Sequence, residues 1–188
     1  VLGSVDSTES IDPQPTVGFS RQNQSIHKLT TVSPPSDRFP DIFDRSALDK
    51  TIARIRRLVA DQRPAWGRMN AGEMLAHCRV AFAMALRDDF PRPNRLLRLV
   101  YRVAIKRQVT SRTPYKRNLP TAPIFRVGPQ QDFIRERDGL IADLEQVHRL
   151  GPSYLDGRES PTLGPLSATE WNVMLAKHLD HHLVQFGV

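Results

Sequence analysis

Ser167-Ala-Thr-Glu-Trp-Asn-Val-Met-Leu-Ala-Lys-His-Leu-Asp-His-His-Leu-Val-Gln-Phe-Gly-Val188 is the stretch from which the rest of the chain is best read. Ser167 and Glu170 have the Ser-x-x-Glu spacing of a capping box, in which each side chain satisfies a backbone N–H left over by the first turn. A helix is therefore predicted to start here, with Gly187 stopping it. On a wheel of about 100° per residue, Trp171, Met174, Leu175, His182 and Gln185 all fall within about 60° of His178. Two histidines thus occupy the middle of the stripe that faces the core, and His181 lies at its edge. A pair at i and i+4 places two imidazoles over one spot, the usual way a helix offers two nitrogen ligands to one metal ion. From spacing alone two readings stay open: core histidines satisfied by hydrogen bonds, or ligands sharing a cation. Burying two uncompensated imidazoles together costs on the order of several kcal/mol, and a shared cation answers both.

Upstream, Asn70 and Glu73 repeat the capping-box spacing, and a helix is predicted over Ala71–Leu86. Its apolar stripe reads Met74, His77, Cys78, Ala81, Phe82, Ala85, so His77 is a third histidine with an apolar address. Glu73 lies on the His77 side of this helix and could orient a ligand or move a proton, although capping explains it more simply. Cys78 has no evident activating base and reads as a small buried residue.

The remaining elements are read around these two. Leu48, Ile52, Ile55 and Val59 predict a first amphipathic helix from Ser46 to about Ala60, broken by Arg63-Pro64-Ala65-Trp66-Gly67, with Trp66 folding back onto the core. Asn94 can cap a third helix from Arg95 to about Arg107. Its apolar side is Leu96, Leu97, Leu99, Val100 and Val103, and its basic ridge is Arg95, Arg98, Arg102 and Lys106. Residues 108–129 hold four prolines and read as a long crossover. Phe133, Ile134, Ile141, Leu144 and Val147 predict another helix ending at Leu150-Gly151-Pro152, with His148 near its end in a structural or solvent-facing place. No strand of any length competes, so the expected class is all-α.

Residues 1–40 are rich in Ser, Thr, Pro, Gln and Asp without apolar periodicity, and read as a disordered leader before a helical domain over 41–188. The 188 residues fit one domain of ordinary size. No apolar run approaches the ~20 residues of a membrane span, no secretion signal is apparent, and the single cysteine excludes a disulfide framework; the expectation is a cytoplasmic protein. The net charge of +7 is uneven: Arg92–Arg117 carries nine basic residues and no acidic one. The ridge is either a solvated face or a clamp for an anionic group, with Arg95, Arg98 and Arg102 the candidates for binding substrate. Nucleic-acid binding through 92–117 is the weaker alternative, since only Tyr101 and Tyr115 lie near to stack on bases.

With His77 in Trp66-Gly67-Arg68-Met69-Asn70-Ala71-Gly72-Glu73-Met74-Leu75-Ala76-His77-Cys78, and with the ending from Glu170-Trp171 through Lys177-His178-Leu179-Asp180-His181-His182 to Val188, the chain resembles the DinB-like superfamily. More narrowly it is similar to a bacterial branch catalogued as a domain of unknown function. The likeness covers about 41–188 and includes Lys116-Arg117-Asn118 to Ala122-Pro123. It implies an up-down four-helix bundle, here with an additional short helix and long loops, often homodimeric. It implies a divalent cation held by His77, His178 and His182, and leaves His181 beside the site or at the surface; Glu73 stays a candidate neighbour on its helix position alone. Related chains often show His-Pro before the last helix, where this one has Ser160-Pro161. Three imidazoles leave a coordination position open and suit Zn²⁺ or Ni²⁺ first, then Fe²⁺, Cu²⁺ or Mn²⁺. Members of the superfamily with known activity include thiol transferases and a thiol-dependent isomerase, which activate a low-molecular-weight thiol at such a centre. The expectation is a metal-dependent thiol transferase, the alternative a metal-binding or stress-related bundle that does no chemistry.

Overall fold

The structure is a computed structural model that describes Val1, Gly3 and residues 39–188. The expected leader over 1–40 lies outside the described residues except at its ends. The described residues are mainly helical. The long helices are α1 (Arg45–Arg56), α2 (Ala71–Leu86), α5 (Phe133–Leu150) and α7 (Ala168–Gln185), with shorter α3 (Arg95–Val100), α4 (Lys106–Thr110) and α6 (Pro152–Leu155) between them. A two-residue ladder, β1 (Glu159–Ser160) against β2 (Gly164–Pro165), is antiparallel and ties off the loop before α7. The sequence predicts no strand there.

Both capping boxes form. Asn70 Oδ1 accepts the Glu73 N–H and Glu73 Oε2 accepts the Asn70 N–H, each at 2.9 Å. Ser167 and Glu170 do the same for α7 at 3.2 and 2.9 Å. Asp44 caps α1 and Asp132 caps α5, and Gly151, at φ 74°, stops α5 in a conformation that favours glycine.

One core runs through these elements. Leu48, Ile52 and Ile55 of α1, Met74, Leu75, Cys78 and Phe82 of α2, Leu140, Leu144 and Val147 of α5, and Trp171, Leu175, Leu179 and Leu183 of α7 are all buried in it. The α2–α5 seam is closed by Arg79, whose guanidinium lies over Gly139, where a Cβ would come within 2.4 Å of it. There it donates to Glu136 at 2.8 Å and Asp143 at 2.9 Å.

Three expectations are corrected. Helix α1 ends at Arg56 because the chain tightens there, with the Leu58 N–H bonding to Ile55 O at 3.2 Å. That turns Leu58 into the core and leaves Val59 54% exposed. Trp66 does not join the core, a place that Trp171 fills with its indole N–H on Arg158 O at 3.2 Å. The third helix is not one regular helix but α3, a π turn over Tyr101–Ile105, and α4, and it is rotated from the expected orientation. Leu96, Leu99, Val100 and Val103, at helical spacing, face outward with exposures of 73, 55, 49 and 77%.

Candidate metal centre

Helix α2 carries His77, and one face of α7 carries His178 and His182, one turn apart. Because α2 packs on α7, the three rings form a nearly equilateral cluster with centroids 4.8, 4.7 and 4.9 Å apart. One nitrogen from each lies within 4.8 Å of the others.

Hydrogen bonds settle which nitrogens are free on two of the three rings. His77 donates from Nδ1 to Phe125 O at 2.8 Å, which leaves Nε2 as a lone pair. His182 donates from Nδ1 to Gln185 Oε1 at 2.7 Å, and the Gln185 amide N–H is held by Trp66 O at 2.5 Å. Such backing of a ring's far nitrogen fixes both its orientation and its tautomer, as around metal-bound histidines. His178 Nε2 faces His77 Nε2 at 2.9 Å, while its Nδ1 is buried with no partner among the described residues.

The cluster fits a cation. If neither facing Nε2 bears a proton, two lone pairs oppose each other at 2.9 Å; if His178 supplies the proton, its buried Nδ1 keeps an unused lone pair. Two nitrogens on one ion at ~2.0–2.1 Å sit about 3–4 Å apart, so only small ring movements separate this cluster from a coordinating one.

The protonation states agree. Burial pushes the His77 imidazole below its ordinary range despite the Phe125 carbonyl, and burial with neighbouring imidazoles pushes His178 well below it. Burial, with His77 next in effect, pushes His182 down to about 3. All three rings are therefore neutral near pH 7, the form that binds metal.

The other site candidates are placed as follows. Glu73 is spent on the capping box of α2. His181 makes no hydrogen bond among the described residues. Its ring lies 5.2 Å from His182 and edge-on to Trp66 and Tyr115, at 5.7 Å from each. Cys78 is buried, and burial pushes its thiol up, away from nucleophilic use. The basic ridge is tied to the loop before α7 and to the first turn of α7: Arg98 pairs with Glu159 at 2.9 Å, Lys106 with Glu170 at 2.9 Å, and Arg102 runs along Gly164. Arg95 is exposed. No hydrogen bond or ion pair among the described residues joins Arg95, Arg98 or Arg102 to the histidines.

A family model described as "Protein of unknown function (DUF1569)" matches residues 41–187. The chain belongs to that family. No curated protein and no solved structure matches it significantly. In this DUF1569 chain, sequence reasoning identified the three histidines and missed what holds them. Gln185 was visible on the His178 stripe, but its partner Trp66 lies 119 residues away. Phe125, on a 3₁₀ turn over Pro123–Phe125, acts through its carbonyl, which no residue type announces. Pro123, preset for a turn, was the available signal.

Lys177 was also missed. It is completely buried, and its ammonium donates to Gln108 O, Ser111 O and Thr113 O at 2.7, 2.5 and 3.3 Å. It so ties the end of α4 to α7, next to His178. Hydrogen bonds to a charged group contribute about 1.5–3 kcal/mol each when one partner is removed. Lys177→Met, which keeps the stem, is expected to destabilise the protein by at least about 2 kcal/mol. Amide exchange should speed up across residues 106–115 while α2 and α5 stay protected. Unchanged exchange there would mean the three bonds do not hold the segment.

Proposed function

We propose that this chain binds one divalent metal ion through His77, His178 and His182 inside a four-helix bundle of the DinB type, and that it is a transferase activating a low-molecular-weight thiol there. The observation that carries the reading is the cluster of three imidazoles, two with their far nitrogens already committed to Phe125 O and Gln185 Oε1. Nitrogen donors favour Zn²⁺ or Ni²⁺ over Mn²⁺.

A divalent ion with three protein ligands keeps a position open and lowers the pKa of a thiol bound there toward neutrality. The chain's own residues do the rest. The Phe125 carbonyl and the Gln185 amide hold two rings in place, and the Phe125 ring, 5.5 Å from both His77 and His178, covers one side of the pair. His181 stands beside His182, their ring centres 5.2 Å apart, and lines a cleft at the surface.

The test is cobalt substitution followed by titration with 2-mercaptoethanol and with glutathione. The expected result is one Co²⁺ per chain and a new sulfur-to-cobalt absorption band on adding thiol. Cobalt that loads without responding to either thiol would remove the transferase reading and leave a metal-binding bundle.

A further inference from the structure

Beside the histidine cluster lies a surface cleft of about 340 Å³, walled by Trp66, Tyr115 and Pro114, with Arg117 at its edge and Lys177, Asp180 and His181 of α7 along its floor. The Arg117 guanidinium lies 4.3 Å from the centre of the Trp66 ring. The Lys177 ammonium lies 4.5 Å from the centre of Tyr115. The one carboxylate, Asp180, is neutralised from outside the cleft by Arg54 at 2.7 Å. Lys177 is committed to three backbone carbonyls, whereas Arg117 makes no ion pair among the described residues. The lining thus keeps a net positive charge, and Arg117 holds a full set of guanidinium N–H donors, preorganised by stacking on an indole.

We infer that this cleft binds a small carboxylate-bearing molecule, its carboxylate on Arg117 and its apolar body between Trp66 and Tyr115, with its other end directed past His181 toward the histidine cluster. The volume is at the low end of small-molecule sites, which suits a short chain and excludes a large cofactor. A planar guanidinium matches a carboxylate through two parallel N–H donors. His181 links the two places physically: its ring is 5.7 Å from Trp66 and 5.2 Å from His182. This assignment deepens the thiol-transferase reading and rests on it for the role of the ligand's far end. It also moves recognition of the carboxylate from Arg95, Arg98 and Arg102 to Arg117.

The test uses the full chain and 3-mercaptopropionate, with 2-mercaptoethanol as the neutral thiol and inorganic phosphate as the competing anion. In metal-free protein the indole N–H resonance of Trp66 is followed during titration. The expected result is a saturable shift with 3-mercaptopropionate, weakened about 10-fold or more in Arg117→Ala, the loss on removing one charge-assisted partner. Arg117→Lys, which keeps the charge and loses the fork, should recover only part of it. A neutral thiol shifting Trp66 equally well, phosphate binding more tightly than the carboxylate, or an Arg117→Ala titration identical to wild type would each overturn the assignment. A cobalt–sulfur band is then sought with both thiols. Carboxylate binding without any cobalt loading would remove the metal reading and keep the cleft. A cobalt–sulfur band with no Arg117 dependence of the Trp66 shift would do the reverse.

Discussion

His178→Ala is expected to reduce metal content from about one divalent ion per chain to near zero, measured by mass spectrometry on protein purified without a histidine tag. His178 is the member of the cluster whose Nε2 faces His77 Nε2 at 2.9 Å, so its loss opens the site on the side where the donors are closest. The residual His77 and His182 belong to different helices and form a pair, not a triad. Losing a partner of a ligand costs roughly 10–100-fold in affinity, and losing the ligand itself should cost more than that. Gln185→Leu supplies the comparison: His182 keeps its ring but loses the acceptor at 2.7 Å, so affinity should fall within that 10–100-fold range while stoichiometry at saturation stays near one. The ordering of the two variants tests the geometry. Equal metal content in wild type and His178→Ala would assign the metal elsewhere and make the histidines core residues.

How far the sequence revealed this arrangement depended on the range of the interactions. The capping boxes of α2 and α7 are contacts three residues apart, and a spacing rule finds them. His77, His178 and His182 were legible because each sits on an apolar stripe, and a polar side chain on such a stripe calls for a partner. The orientation of α3 was not legible. Its stripe at Leu96, Leu99, Val100 and Val103 has the period of a core-facing helix, yet that face is exposed. Arg98 and Lys106 instead turn toward Glu159 and Glu170, 61 and 64 residues away, and nothing local in the sequence marks those pairings. Trp66 failed for the same reason: a large aromatic defaults to the core, but Arg117 and Gln185 hold it at the rim.

Metal-free protein should lose stability steeply as the pH falls below about 6.5, the ordinary histidine value. The sign follows from the folded state binding fewer protons than the unfolded one. Each cluster histidine titrates below its ordinary value when folded, His182 only at about 3. In the window between, the unfolded chain takes up protons that the folded chain refuses, so acid favours unfolding. Above that window both states carry neutral rings and the effect vanishes. Each such group contributes a slope of up to about 1.4 kcal/mol per pH unit. Against a total stability of about 5–15 kcal/mol, three of them acting together are enough to unfold the chain within a few pH units. Zinc at about 100 times its dissociation constant would add about 2.7 kcal/mol and shift acid unfolding to lower pH, until protons displace it from the rings. The cleanest reading comes from urea unfolding of chelator-treated wild type and His182→Gln at a series of pH values, followed by far-UV circular dichroism. At pH 5 the variant should take up about one proton fewer on unfolding than wild type, whatever other groups contribute to both. Identical pH dependence in the two proteins would mean that His182 titrates normally in the folded chain, and that the cluster is open to water rather than sealed and ready for a metal.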